Sequence, residues 1–165
     1  MKVLVVSDSH SGLSYMRSWA RLLAPQVIIH LGDYYDDGQV LGEEYPDSRL
    51  IQVPGNCDLF RSVTAGPQTV FTNLDGVGVY LTHGHRQRVK SGTGQLLAEA
   101  RVAKADVVLY GHTHREECYQ TDEGMWVMNP GSCGSSGGSV GLLVIQNGRV
   151  EFCKVLHRDD MEEFE

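Results

Sequence analysis

Lys2-Val3-Leu4-Val5-Val6-Ser7-Asp8-Ser9-His10 is an aliphatic run that stops abruptly at polar residues. Apolar side chains at consecutive positions indicate a strand covered on both faces, as in a sheet buried between other layers. Downstream, residues 14–24 carry Tyr15, Met16, Trp19, Leu22 and Leu23 at helical spacing, and Pro25 closes the segment. Two further apolar runs follow. Residues 27–31 end at Gly32-Asp33, and residues 50–53 end at Pro54-Gly55-Asn56, with a loop expected between them. Strand, helix, strand, loop, strand predicts an α/β sheet.

Beyond this point the pattern turns mainly strand-like. Residues 77–82 alternate and end at His83, residues 96–105 read as a helix, and residues 106–110 form a strand ending at Gly111-His112. Short antiparallel strands are expected over 116–120, 125–128, 140–145 and 150–156. Asp122-Glu123-Gly124 and Gln146-Asn147-Gly148 supply turns between them. The Gly/Ser stretch 131–138 reads as a loop, and the acidic end, 158–165, is expected to fray. With neither repeat nor linker, residues 1–165 are read as a single domain.

Composition sets outer bounds. A chain of 165 residues buries about 70% of its unfolded surface, so it needs no covalent staples. Apolar residues make up 41% and charged residues 21%, the proportions of a folded domain rather than a disordered one. Fourteen Lys and Arg against 21 Asp and Glu leave a net charge of -7. Long nucleic acid is therefore not an expected partner, because phosphate backbones need a cationic surface. No stretch approaches the roughly 18 apolar residues of a membrane span, so no membrane partner is expected. The first apolar run is too short for a signal-peptide core. Cys57, Cys118, Cys133 and Cys153 form no C-x-x-C pair, which reads as reduced thiols in a cytoplasmic protein. A homo-oligomer is compatible with these features.

The chemistry gathers where strands end. Five such ends give Asp8-Ser9-His10, Gly32-Asp33, Gly55-Asn56-Cys57-Asp58, His83-Gly84-His85 and Gly111-His112-Thr113-His114. Ligands of open α/β sheets bind outside the carboxyl ends of the strands, so these loops are placed to converge. Chance predicts about 0.3 His-x-His pairs at this histidine content, and the chain has two. Imidazoles mixed with carboxylates and an amide suit Mn, Fe, Zn, Co or Ni, whereas Ca or Mg would want nearly all oxygen. Seven donors exceed the needs of one ion and fit two ions sharing a carboxylate.

In this order, Asp8-x-His10, Gly32-Asp33-x-x-Asp36, Gly55-Asn56-x-Asp58, His83-Gly84 and Gly111-His112-x-His114 resemble the calcineurin-like metallophosphoesterase superfamily. The Gly55-Asn56-Cys57-Asp58 and Thr82-His83-Gly84-His85 forms are most similar to its compact prokaryotic phosphodiesterase branch. The resemblance spans residues 3 to about 132. It implies a four-layer α/β/β/α sandwich of two packed mixed sheets. It also implies two divalent metal ions, manganese first among those above. Asp8, His10 and His114 would hold one ion and Asn56, His83 and His112 the other, with Asp33 bridging both. A hydroxide between the metals would attack phosphorus in line, making the chain a phosphoesterase of small phosphate esters, diesters before monoesters. Alternatives with the same site or fold are a phosphomonoesterase or pyrophosphatase, and a non-catalytic scaffold of the kind found in membrane-coat sorting.

Asn56, Asp58, His83 and His85 are the catalytic candidates, Asp58 reading as a ligand's partner or a turn residue rather than a ligand. Many members of the superfamily carry a histidine where Cys57 stands, so protonation of the leaving group falls to another residue or to water. Asn129-Pro130-Gly131-Ser132 matches the compact branch, but the Pro-Arg expected after it is replaced by Cys133-Gly134-Ser135-Ser136. Asp36 is expected to orient a ligand, while Asp37, Glu43 and Glu44 read as a solvated loop face. Arg86, Arg88 and Lys90 either grip substrate phosphate or begin a surface helix. His30, inside an apolar strand, reads as a satisfied buried histidine, and His157 is given no role.

Overall fold

The computed structural model describes residues 1–60, 66–134 and 138–164. The aliphatic run that opens the chain forms β1 (Lys2–Val6), followed by α1 (Leu13–Leu23), β2 (Val27–His30), α2 (Tyr35–Glu44) and β3 (Arg49–Gln52). β1 pairs in parallel with β2, and β2 with β3. The chain continues as β4 (Thr69–Leu74), β5 (Val77–Thr82), α3 (Gly94–Val102), β6 (Val107–Leu109), β7 (Glu117–Gln120), β8 (Trp126–Asn129), β9 (Ser139–Gln146) and β10 (Arg149–His157). Two mixed five-stranded sheets result, ordered β10-β9-β1-β2-β3 and β4-β5-β6-β8-β7.

Double burial explains the continuous apolar strands. Val3, Val5, Val27 and Ile29 face the second sheet and meet Val79, Leu81, Val107 and Leu109 from it. The alternate residues Leu4, Val6 and Ile28 face outward under Met16, Trp19 and Leu23 of α1. On the far side, Val108 and Tyr110 lie under Leu96 and Ala100 of α3. Helix, sheet, sheet, helix is the four-layer sandwich that the sequence resemblance implied. No helix among the described residues is long and apolar enough to cross a membrane.

Three segments differ from the sequence reading. Residues 35–44, expected as loop, form α2, whose two acids in the first turn, Asp36 and Asp37, complement the helix dipole. Its buried residues are Gly38 and Leu41, too sparse an apolar stripe to stand out. The glycine relieves crowding: a Cβ at position 38 would lie 2.4 Å from Gln52 Oε1 and 3.0 Å from Cβ and Cγ of His30. β4 was also unforeseen. It pairs antiparallel with β5 across Asp75-Gly76, both at positive φ, the residues a tight hairpin favours. Finally, residues 158–163 form a 3-10 turn instead of fraying. His157 donates its N–H to Asp160 Oδ2 at 2.7 Å, and Phe164 packs edge-on against Trp19. The end of the chain at Glu165 and the Ser135-Ser136-Gly137 part of the Gly/Ser loop lie outside the described residues.

Candidate metal centre

β1, β2, β3, β5 and β6 each run into one of the five polar loops, and the loops meet at one end of the sandwich. Among the described residues, Asp8, His10, Asp33 and His114 offer ligand atoms that all lie within 4.8 Å of one another. His83 joins them: its Nε2 is 3.6 Å from Asp33 Oδ2, 4.0 Å from Asp8 Oδ1 and 3.2 Å from Asn56 Oδ1. The His112 ring centroid lies 5.0 Å from that of His83, and that of His85 lies 5.5 Å from it. All seven expected ligands, with His85 beside them, are thus gathered at one place.

The loops reach this arrangement through strained and crowded backbone. Asp8, His10, Ser11, Asp33, Tyr34, His112 and His114 all have positive φ, a conformation that costs a non-glycine residue about 1 kcal/mol or more. Gly55 and Gly111 allow close approaches, since a Cβ would fall 2.1 Å from Asp33 Oδ1 at the first and 2.0 Å from Ser7 Oγ at the second. Asp58 is the brace of this region. Its Oδ2 accepts the N–H groups of Asp33 and Gly55 at 2.8 Å each, and its Oδ1 accepts that of Tyr35 at 2.9 Å. The carboxylate is engaged by three backbone N–H groups and ties the β2 and β3 loops together.

Hydrogen bonding fixes which atoms remain free for a cation. Asp8 Oδ2 accepts the Ser7 hydroxyl at 2.6 Å and the His112 N–H at 3.1 Å. Among the described residues no hydrogen bond is given to the buried Asp8 Oδ1, and His114 Nε2 lies 3.0 Å from it. His83 Nδ1 lies 2.7 Å from the Leu31 carbonyl, so the neutral form of the ring carries its proton there and has its lone pair on Nε2. That lone pair faces the oxygens of Asn56, Asp33 and Asp8. Buried lone pairs facing one another need positive charge between them, and a divalent ion matches the donor set: carboxylate, imidazole and amide. The residues present therefore fit a metal.

Electrostatics bear on the same atoms. Burial would raise the Asp33 carboxyl, but positive charge on His83 and the Cys57 N–H outweigh it and hold the group below the usual carboxylate range. Burial and the neighbouring His83 push His112 down to about 4 and also lower His85. Both imidazoles are thus neutral at pH 7, the form that can ligate. Burial, then Asp33, raise the Cys57 thiol.

The remaining candidates sort by contact. His30 is fully buried between Ser9 and Gly32, as expected of a satisfied histidine. Asp36 is exposed, and it is Asp37 that binds the Asp8–His10 loop, the reverse of the sequence assignment. Glu44 pairs with Arg17 rather than facing solvent alone. His157, given no role, contacts Glu116 at 3.0 Å. Of the basic group, Lys90 lines a cavity of about 570 Å³ beside the His112-Thr113-His114 turn, with Tyr110, Thr113 and Arg115.

Comparison with known proteins agrees with this geometry. Residues 1–148 match the model of the calcineurin-like phosphoesterase superfamily domain. The phosphodiesterase YfcE of Escherichia coli K12 is 31% identical, the alignment covering 87% of each chain. A predicted phosphoesterase of Streptococcus pneumoniae TIGR4 has a similar solved structure, with TM-score 0.72, 20% identity, and coverage of 95% of this chain and 97% of that one. Wild-type Vps29 of Entamoeba histolytica, solved with zinc, shares the fold at TM-score 0.67 and 20% identity, covering 95% of this chain and 99% of its own.

Proposed function

Because the chain belongs to the calcineurin-like phosphoesterase superfamily, we propose that it hydrolyses a small phosphate ester at this cluster, a diester before a monoester, with two divalent ions. Asp8, His10 and His114 would hold one ion and Asn56, His83 and His112 the other, with Asp33 shared. When bound, such ions supply Lewis acidity that acidifies water and offsets charge developing on the phosphoryl oxygens. Manganese is the first choice among the ions suited to these donors. The observation that carries the reading is the buried Asp8 Oδ1, faced by the Nε2 atoms of His114 at 3.0 Å and His83 at 4.0 Å and given no hydrogen bond among the described residues.

The chain's own groups then have definite tasks. The Leu31 carbonyl keeps the proton of His83 on Nδ1, so Nε2 stays available. Asp58 fixes the backbone that carries Asp33 and Asn56. His85 sits at the edge of the cluster with a buried Nδ1 that has no hydrogen-bond partner among the described residues, placed to bond an ester oxygen. Cys57 keeps its proton at neutral pH and is a weak donor, so esters with stable leaving groups are the better substrates. The cavity lined by Lys90 and Arg115 has room for the ester's alcohol portion. Four free cysteines suit a reducing, cytoplasmic setting.

Metal analysis and a substrate panel test the reading together. Protein reconstituted with Mn should hold two equivalents and cleave bis(p-nitrophenyl) phosphate faster than p-nitrophenyl phosphate. A clear preference for the monoester or for pyrophosphate would reverse the substrate assignment. Metal-loaded protein that cleaves nothing on a broad panel would favour the scaffold that shares this fold.

A further inference from the structure

We propose that Ser9, His30 and Asp37 form a positioning relay that locks the β1 loop onto the β2 loop and so sets the direction of His10. The proposal rests on the metal reading above and concerns residues that no ligand set includes.

The direction of every bond in the relay follows from its neighbours. The Gly32 N–H donates to His30 Nδ1 at 3.2 Å, so the ring proton is on Nε2. That N–H donates to Ser9 Oγ at 3.1 Å. The Ser9 hydroxyl proton is then free for Asp37 Oδ2, 2.6 Å away. The same oxygen accepts the N–H of Ser11 at 2.9 Å. Asp37 Oδ2 therefore grips the chain on both sides of His10, once through residue 9 and once through residue 11.

His10 has reason to need this. It and its neighbours Asp8 and Ser11 are all at positive φ (43°, 51° and 67°), so an unrestrained loop would relax away from the arrangement. The His10 ring is exposed and meets His114 and Tyr34 edge-on, with centroids 5.3 and 4.9 Å apart. Ring contacts of that kind are weak orienting forces. Backbone clamping is the stronger constraint on where its nitrogens point. On the other side of the relay, His30 ends the strand that leads to Asp33, and the Gly32 N–H bond ties the relay to that turn. One small network thus spans the supports of Asp8, His10 and Asp33.

Cobalt titration of the purified full chain, followed by visible absorption, tests the relay at a temperature well below unfolding. Asp37→Ala should bind Co2+ 10–100-fold more weakly with a changed spectrum, the usual loss when an outer partner of a ligand is removed. Its circular dichroism without metal should match the wild type, since Asp37 is half-buried in the first turn of α2. Asp37→Asn should recover most of the affinity, because an amide oxygen accepts the same two bonds. An Ala variant with wild-type affinity and spectrum would overturn the relay, as would an Asn variant as weak as the Ala. A wild-type chain that binds no Co2+, Mn2+ or Zn2+ would overturn the metal reading itself, a result distinct from either.

Discussion

Asp33 occupies the middle of the cluster, with Oδ2 near His83 and Oδ1 accepting the Cys57 N–H. Removing it should cost both ions: Asp33→Ala is expected to retain under a tenth of the wild-type metal after desalting, whereas His85→Ala keeps two equivalents. Elemental analysis decides, and two full equivalents in Asp33→Ala would remove the shared ligand from the mechanism. His30 makes a separate prediction. Burial pushes it down to about 4, below the roughly 6.5 of an unfolded histidine. As pH falls from 6.5 to 4 the unfolded chain takes the proton and the folded one does not. Stability is therefore full above pH 6.5 and declines towards pH 4, by about 3 kcal/mol from this group. Urea unfolding of metal-free protein at pH 7 and pH 4.5 should show a smaller decline in His30→Gln; parallel declines would refute the assignment. At this scale the residues that meet in the cluster were legible because each is a polar residue at an abrupt strand end. The division of labour between Asp36 and Asp37 was not, since two adjacent acids look alike until the phase of α2 turns one inward.

Among the elements, α2 and β4 were hidden for different reasons. α2 has two glycines and four acids in ten residues, so propensity argues for a loop, and only contact with β2 and β3 makes it a helix. β4 is an edge strand with half its residues partly exposed, which erases the alternating pattern, although Asp75-Gly76 was a usable hairpin signal. By contrast β1, β2 and β6 are covered on both faces and were read almost to the residue. The α2 packing supports a direct test. Gly38→Ala would gain roughly 1 kcal/mol of intrinsic helix preference. The new methyl displaces Gln52 Oε1 and presses on Cβ and Cγ of a His30 whose ring is fixed at both nitrogens, a crowding that costs about 1–3 kcal/mol. Denaturant unfolding should show net destabilisation; an equal or more stable variant would mean that α2 can shift outward freely.

For the whole molecule, the family model and the two-sheet packing fit together, and the sandwich was legible because the order of motif-bearing strands is itself a pattern. What sequence could not give is the inter-sheet contact that places His83 against Leu31. Since ions that bind the folded form stabilise it by mass action, Mn at about 100 times its dissociation constant should raise the melting temperature by roughly 5–10 °C for a chain of this size. Thermal melts with and without chelator measure this, and Asp33→Ala should show no shift. A wild-type melt indifferent to Mn would contradict the ion-binding assignment.

The bond from His83 Nδ1 to the Leu31 carbonyl joins two sheets that each supply part of the proposed ligand set. Asp8, His10, Asp33 and Asn56 follow strands of one sheet, and His83, His112 and His114 follow strands of the other. Neither half alone presents a full coordination shell. In time rather than space, this orders the folding reaction. On the proposed ligand set, tight ion uptake follows docking of the halves, so a refolding chain with one sheet formed is still blind to metal.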